Sequence, residues 1–139
     1  MKDRLLKLLK NSYSPYSKFR VSSIVVLKDG KSYGGVNIEN SSYGATVCAE
    51  RVAIFKAVSE GYHKGDFKKL YVMCDSPKIS SSCFICRQVI CEFFEPDDEI
   101  IFMNNLGEEE RHKVSEVCPY PFDNDDLEEA KKWKAVLYL

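Results

Sequence analysis

Two short cysteine-bearing segments constrain this chain more than anything else in it. The first, TVCAER at residues 46–51, sets a thiol, a carboxylate and a guanidinium side by side at the start of an apolar helical pattern. Ionised groups at a buried helix start need partners, so a cation must meet Cys48 and something reactive must meet Glu50. A metal answers both needs. The second segment, SCFICRQV at residues 82–89, carries Cys83 and Cys86 at i, i+3, which stacks two thiols one turn apart on one helix face. With Cys48 as a third corner, the set predicts a tetrahedral zinc whose fourth position is left for water. An open corner distinguishes a catalytic zinc from a closed structural one, and Glu50 is placed to handle the water's proton.

The 139 residues fit one domain, 1–139, with its own core. Lys and Arg number 20 against 21 Asp and Glu, a balance that lacks the basic face of a polyanion binder, so no nucleic acid partner is expected. Leu5, Leu6, Leu8 and Leu9 are interrupted by Lys2, Asp3, Arg4, Lys7 and Lys10, which leaves no apolar run long enough for a signal segment or a membrane span. The expectation is a cytoplasmic protein with no membrane partner. In that setting six cysteines favour metal binding or buried thiols over disulfides.

Helical spacing of Leu5, Leu8 and Leu9 predicts a short amphipathic helix over residues 3–11. Residues 12–17 form an aromatic, turn-prone loop leading to Phe19, which either packs in the core or walls a pocket for a flat ring. Residues 20–28 and 32–40 predict a hairpin turning at Asp29 and Gly30. Alternation in its second strand puts Asn37 and Glu39 on one face, where they either clamp the hydroxyls of a sugar or simply face solvent. Thr46 is the expected N-cap of a helix that runs to about residue 60 and stops at Gly61. Apolar residues cover most of its circumference, predicting a helix buried all round. Further strands are expected over 69–74, 99–104 and 111–115, with a second ligand helix over 83–94. An acid-first, lysine-last helix over 123–132 precedes an apolar tail from Trp133 to Leu139. Strands alternating with helices imply an α/β fold, a mixed sheet with helices on its faces. His63 and His112 lie in polar surroundings and are read as surface residues.

Taken together, these segments resemble the short-chain, three-cysteine, zinc-dependent cytidine deaminases. The likeness runs through YSPYSKFRV (13–21), GVNIENSSY (35–43), TVCAERVAIFKAVSEG (46–61), CFICRQVI (83–90) and VCPYPF (117–122). A C-A-E paired with a downstream C-x-x-C-R-Q-V carries it, and the wider class of zinc deaminases uses this logic, with a nearby Glu as proton carrier. The resemblance implies a single-domain, three-layer α/β cytidine-deaminase-like fold with a mixed five-stranded sheet and helices on both faces. It implies one Zn2+ per subunit on Cys48, Cys83 and Cys86, with Glu50 shuttling protons while a zinc-generated hydroxide attacks C4 of cytosine. Cytidine and 2′-deoxycytidine would give uridine and 2′-deoxyuridine plus ammonia, a step of pyrimidine salvage.

The same resemblance implies that Asn37 and Glu39 grip the ribose 3′-hydroxyl, that Phe19 flanks the base and that the backbone N–H of Ala49 reads the pyrimidine carbonyl. Tyr43 and Phe122 match positions at the shared pockets of a homotetramer, whose neighbours complete each site. Arg51 is expected to donate to a thiolate sulfur; Arg87 either does likewise or makes a plain structural hydrogen bond. Where the family usually reads P-C-G-A-C, this chain has Ser82, Cys83, Phe84, Ile85 and Cys86, which loosens the loop and sets a large ring beside a ligand. Ser22 and Ser23 stand where Gly and Ala are usual. Two rival readings follow. One is a deaminase of the same fold acting on another cytosine nucleoside, such as a nucleoside antibiotic, with other sugar-side groups than Asn37 and Glu39. The other is a catalytically impaired or structural zinc-binding protein, in which Cys74, Cys91 or Cys118 closes the site as a fourth ligand.

Overall fold

Runs of β-branched and apolar residues supply the sheet, and Gly and Ser-rich turns separate them. The protein's structure, a computed structural model, describes residues 1–138. In chain order it contains α1 (Lys2–Leu9), β1 (Val21–Leu27), β2 (Ser32–Val36), α2 (Ala49–Ser59), β3 (Phe67–Cys74), α3 (Phe84–Phe93), β4 (Glu99–Met103), β5 (Glu109–Lys113), α4 (Val114–Val117) and α5 (Asn124–Leu137). The strands form one mixed sheet in the order β2-β1-β3-β4-β5. β3 and β4 run parallel, joined through α3, and the other neighbours are antiparallel.

Alternation along the strands sorts side chains into two cores. Val25, Leu70, Val72, Ile100 and Phe102 pack with Ala53, Ile54 and Ala57 of α2 and Ile90 of α3. Ile24, Met73, Ile101 and Met103 point the other way, onto Leu5 and Leu9 of α1. The result is the expected three layers, helices on both faces of a five-stranded sheet. One close approach sets the height of α2 above the sheet. A Cβ at Gly35 of β2 would lie 2.6 Å from the Ala53 nitrogen and 2.7 Å from the Ala49 oxygen, so the helix backbone rests on the strand only because position 35 has no side chain.

Four expectations need correction. α2 begins at Ala49 with Cys48, not Thr46, as its N-cap, because the chain before it stays extended and Val47 bridges Ile38. Nor is α2 buried all round: Phe55 and Val58 are exposed, since a single face of the helix meets the sheet. The strand expected over 111–115 lies earlier, as β5, and the residues after it turn into α4, where Val114 and Val117 enter the core. The acidic helix does not stop at Lys132 but continues as α5 to Leu137, so Trp133 is helical; Leu139 lies outside the described residues. No helix among the described residues is long and apolar enough to cross a membrane.

Candidate active site

Both cysteine segments end as helix N-caps. Cys48 caps α2 and Cys83 caps α3, so two helix N-termini, with their unpaired N–H groups and positive dipole ends, converge on one spot. Cys86 adds a thiol from the first turn of α3. The three Sγ atoms lie within 4.8 Å of one another, and those of Cys48 and Cys83 are 3.7 Å apart. Zn–S bonds of about 2.3 Å span a tetrahedral edge of about 3.8 Å, so this spacing fits a zinc ion. Arg51 Nη2 donates to Cys48 Sγ at 3.4 Å. The Cys48 thiol is drawn down to about 5, first by the hydrogen bond from Cys86 and, against the opposing pull of burial, by Arg51. Cys86, the donor in that pair and itself buried, is pushed up. Cys48 is thus the most readily ionised thiol of the pair, and the three sulfurs would hold a zinc ion as thiolates.

Among the described residues no fourth Cys, His, Asp or Glu joins the cluster. Cys74 is buried and its thiol donates to the Lys78 carbonyl, while Cys91 and Cys118 meet in a different cavity. His63 is exposed, and His112 sits between Glu110 and Glu116. The corner left by the three thiols therefore stays open on the protein side, against the closed structural reading.

The cluster borders a cavity of about 280 Å³ whose walls include Phe19, Asn37, Glu39, Ala49 and Glu50. Glu50 is 4% exposed. Burial pushes its carboxyl above the usual carboxylate range and the charge on Cys48 adds to this, while Ser82 and Arg51 oppose it. Ser82 is itself buried, and its Oγ, which completes no aligned hydrogen bond, stands beside that carboxyl. A carboxyl biased towards its protonated form, next to a metal-ligand cluster and facing a cavity, is equipped to accept and return a proton.

The sugar-side pair is more committed than its sequence implies. Asn37 Oδ1 accepts from Ser12 Oγ and from the Val21 N–H at 2.9 Å, and its Nδ2 donates to the Phe19 carbonyl at 2.8 Å. It braces the loop that carries Phe19. The Glu39 carboxylate accepts the Tyr16 and Ser17 N–H groups at 3.0 and 3.1 Å and the Ser17 hydroxyl, contacts that hold it below the usual carboxylate range, the hydroxyl first. Tyr43 and Phe122 lie outside the cavity wall and are exposed. Arg87 reaches no sulfur: it donates to the carbonyls of Ser82 at 2.8 Å and Val117 at 2.9 Å and to Ser81 Oγ at 2.9 Å, the structural alternative of the two. Its guanidinium lies 4.2 Å from the centre of the Phe84 ring, which is 78% exposed and is not part of the cavity wall. Ser17, Ser80 and Ser81 also line the cavity. Nothing in the spacing of these serines singles them out, because the loops that carry them meet only in the fold.

Comparison with known proteins agrees with this geometry. The family model described as the cytidine and deoxycytidylate deaminase zinc-binding region matches residues 1–103. The chain is 43% identical to a cytidine deaminase of Sporosarcina psychrophila over 87% of its own length and 88% of that protein's. It is 40% identical to a cytidine deaminase of Halalkalibacterium halodurans, over 84% of its length and 86% of the relative's. The crystal structure of cytidine deaminase from Burkholderia pseudomallei superposes with a TM-score of 0.79 at 34% identity, covering 88% of this chain and 99% of that one. The matched zinc-binding region contains all three clustered thiols, and zinc is the cofactor, one ion per subunit. By sequence, fold and thiol cluster alike, the chain belongs to the cytidine and deoxycytidylate deaminase zinc-binding family.

Proposed function

We propose that this protein hydrolyses the C4 amine of cytidine and 2′-deoxycytidine, releasing ammonia and leaving uridine and 2′-deoxyuridine. The observation that carries the reading is Glu50, a carboxyl buried between a three-thiol cluster and a cavity, on a chain whose similar relatives are cytidine deaminases. Cys48, Cys83 and Cys86 hold the zinc, which when bound supplies the Lewis acidity that makes water a nucleophile near neutral pH. Glu50 accepts a proton from the attacking water and gives it to ring N3, then accepts the proton left on the new C4 hydroxyl and passes it to the departing amine. Its raised pKa suits a group that must both take and return protons. The Ala49 N–H, an unpaired donor at a helix start, meets the pyrimidine carbonyl.

Phe19 flanks the base. Glu39, with lone pairs left beyond its three loop donors, accepts the ribose 3′-hydroxyl, and Asn37 offers its remaining amide hydrogen. Arg51 keeps Cys48 ionised, and Arg87 holds the loop before Cys83. The chain works as one domain in the cytoplasm, in pyrimidine salvage, as a homotetramer whose Tyr43 and Phe122 complete a neighbour's pocket. Supporting that assembly, Tyr43, Phe55, Phe84, Ile85 and Phe122 leave large apolar surfaces uncovered on a single chain. The test is metal analysis and a cytidine absorbance assay on one purified sample. About one zinc per chain with steady loss of cytidine is expected; zinc-loaded protein that leaves cytidine and 2′-deoxycytidine untouched overturns the proposal.

A further inference from the structure

Of the five α-helices among the described residues, α5 alone buries no side chain. Its 14 residues are a marginal length for a helix standing free in water, even with the capping box that Asp123 and Asp126 form at its start. At about 100° per residue, Leu127, Ala130, Trp133 and Leu137 share one face, with Asp126 and Lys134 inside the same stripe. Leu127, Trp133 and Leu137 are all exposed there, Trp133 by 63%. The charge on this stripe is ordered, acid near the start and lysine near the end. A parallel copy would set like charge against like, whereas an antiparallel copy sets opposite charges together at both ends.

We propose that α5 pairs antiparallel with the α5 of a second copy of the chain, crossing at Ala130. With the crossing there, Leu127 meets the partner's Trp133 and Asp126 meets the partner's Lys134, each contact occurring twice by symmetry. The small side chain of Ala130 lets the two axes approach. None of these residues lines the cavity, so the pairing stands or falls separately from the deaminase reading and from the contacts assigned to Tyr43 and Phe122.

The test uses the full-length, zinc-loaded protein. Under mild oxidation A130C is expected to give covalent dimers on a non-reducing gel, while K132C, on the opposite face, stays at the level of the unmodified chain. In the A130C background, D126K and K134D each place two repulsive pairs at the crossing and lower the dimer yield about tenfold. Mixing those two chains turns every repulsive pair attractive and restores the yield. No excess of A130C over K132C dimers overturns the proposal, as does a yield indifferent to charge or unrecovered on mixing. Cross-linking that appears only off this stripe, or only to a different protein, has the same consequence.

Discussion

Glu50 either moves protons or merely fills the cavity wall, and an isosteric change separates the two. Glu50→Gln keeps the shape and the burial but loses the titrating oxygen. It is expected to bind a full zinc and to hold KM within a few-fold, while kcat falls by about 1,000-fold. Metal analysis and steady-state kinetics on the same variant check this, and a wild-type rate would remove Glu50 from the chemistry. The place of Glu50 beside the thiols was legible because Cys48 and Glu50 sit at fixed offsets from a helix start, and such offsets translate directly into direction. Asn37 was legible only as a position. The donors to its amide oxygen come from Ser12, in the loop after α1, and Val21, at the start of β1, which the fold and not the local sequence brings to it.

Elements are held to one another near the cavity by polar ties as well as by the two cores. Just before β1, Arg20 reaches the end of β3: its Nη2 lies 2.7 Å from Asp75 Oδ2, and the Asp75 N–H donates to the Arg20 carbonyl at 2.9 Å. Hydrogen bonds from Arg20 and then Asn105 hold the Asp75 carboxyl below its ordinary range. A carboxyl depressed in the folded state contributes stability above its unfolded pKa and loses that contribution as pH falls through the folded one. Asp75→Asn is therefore expected to cost about 1 kcal/mol at neutral pH, a figure already discounted for the partly solvated pair. The gap between variant and wild type should close on acidification below about pH 4, which denaturant melts across pH would follow. A gap that persists at low pH would mean the pair does not stabilise by charge.

At this scale the sequence spoke unevenly. β1, β3 and β4 declare themselves through β-branched and apolar runs. β5, with the sequence EERHK, carries no apolar alternation at all. Its place in the sheet comes from backbone pairing with β4 and from Arg111 bridging Glu99 and Glu109, neither of which hydrophobic patterning can register.

Over the whole molecule, the proposed tetramer makes activity a property of pairs of chains. Phe122→Ala spoils what a chain gives its neighbour, and Glu50→Gln spoils what it keeps. Each homogeneous variant is expected to be weak, while an equal mixture, after exchange of subunits, recovers about a quarter of wild-type turnover, because some pockets then draw sound parts from both. Assays before and after mixing decide it; no recovery would place Phe122 within its own chain's business or none. The exposed side of α2 shows where sequence periodicity misleads. Phe55 and Val58 look like core residues in a string of letters, and periodicity alone does not distinguish an apolar side chain that meets the sheet from one that stays exposed on its own chain.

Position 35 ties these scales together. The missing side chain there sets how low the first turn of α2 can ride, and that turn carries the first thiol and the acid. Gly35→Ala is expected to lift it, lowering zinc affinity and destabilising the protein by about 2 kcal/mol, measurable by metal titration and thermal melting. A random hunt for inactive variants should thus return a methyl group on the far strand alongside the cysteines, an inhibitor of the chemistry that never meets the substrate.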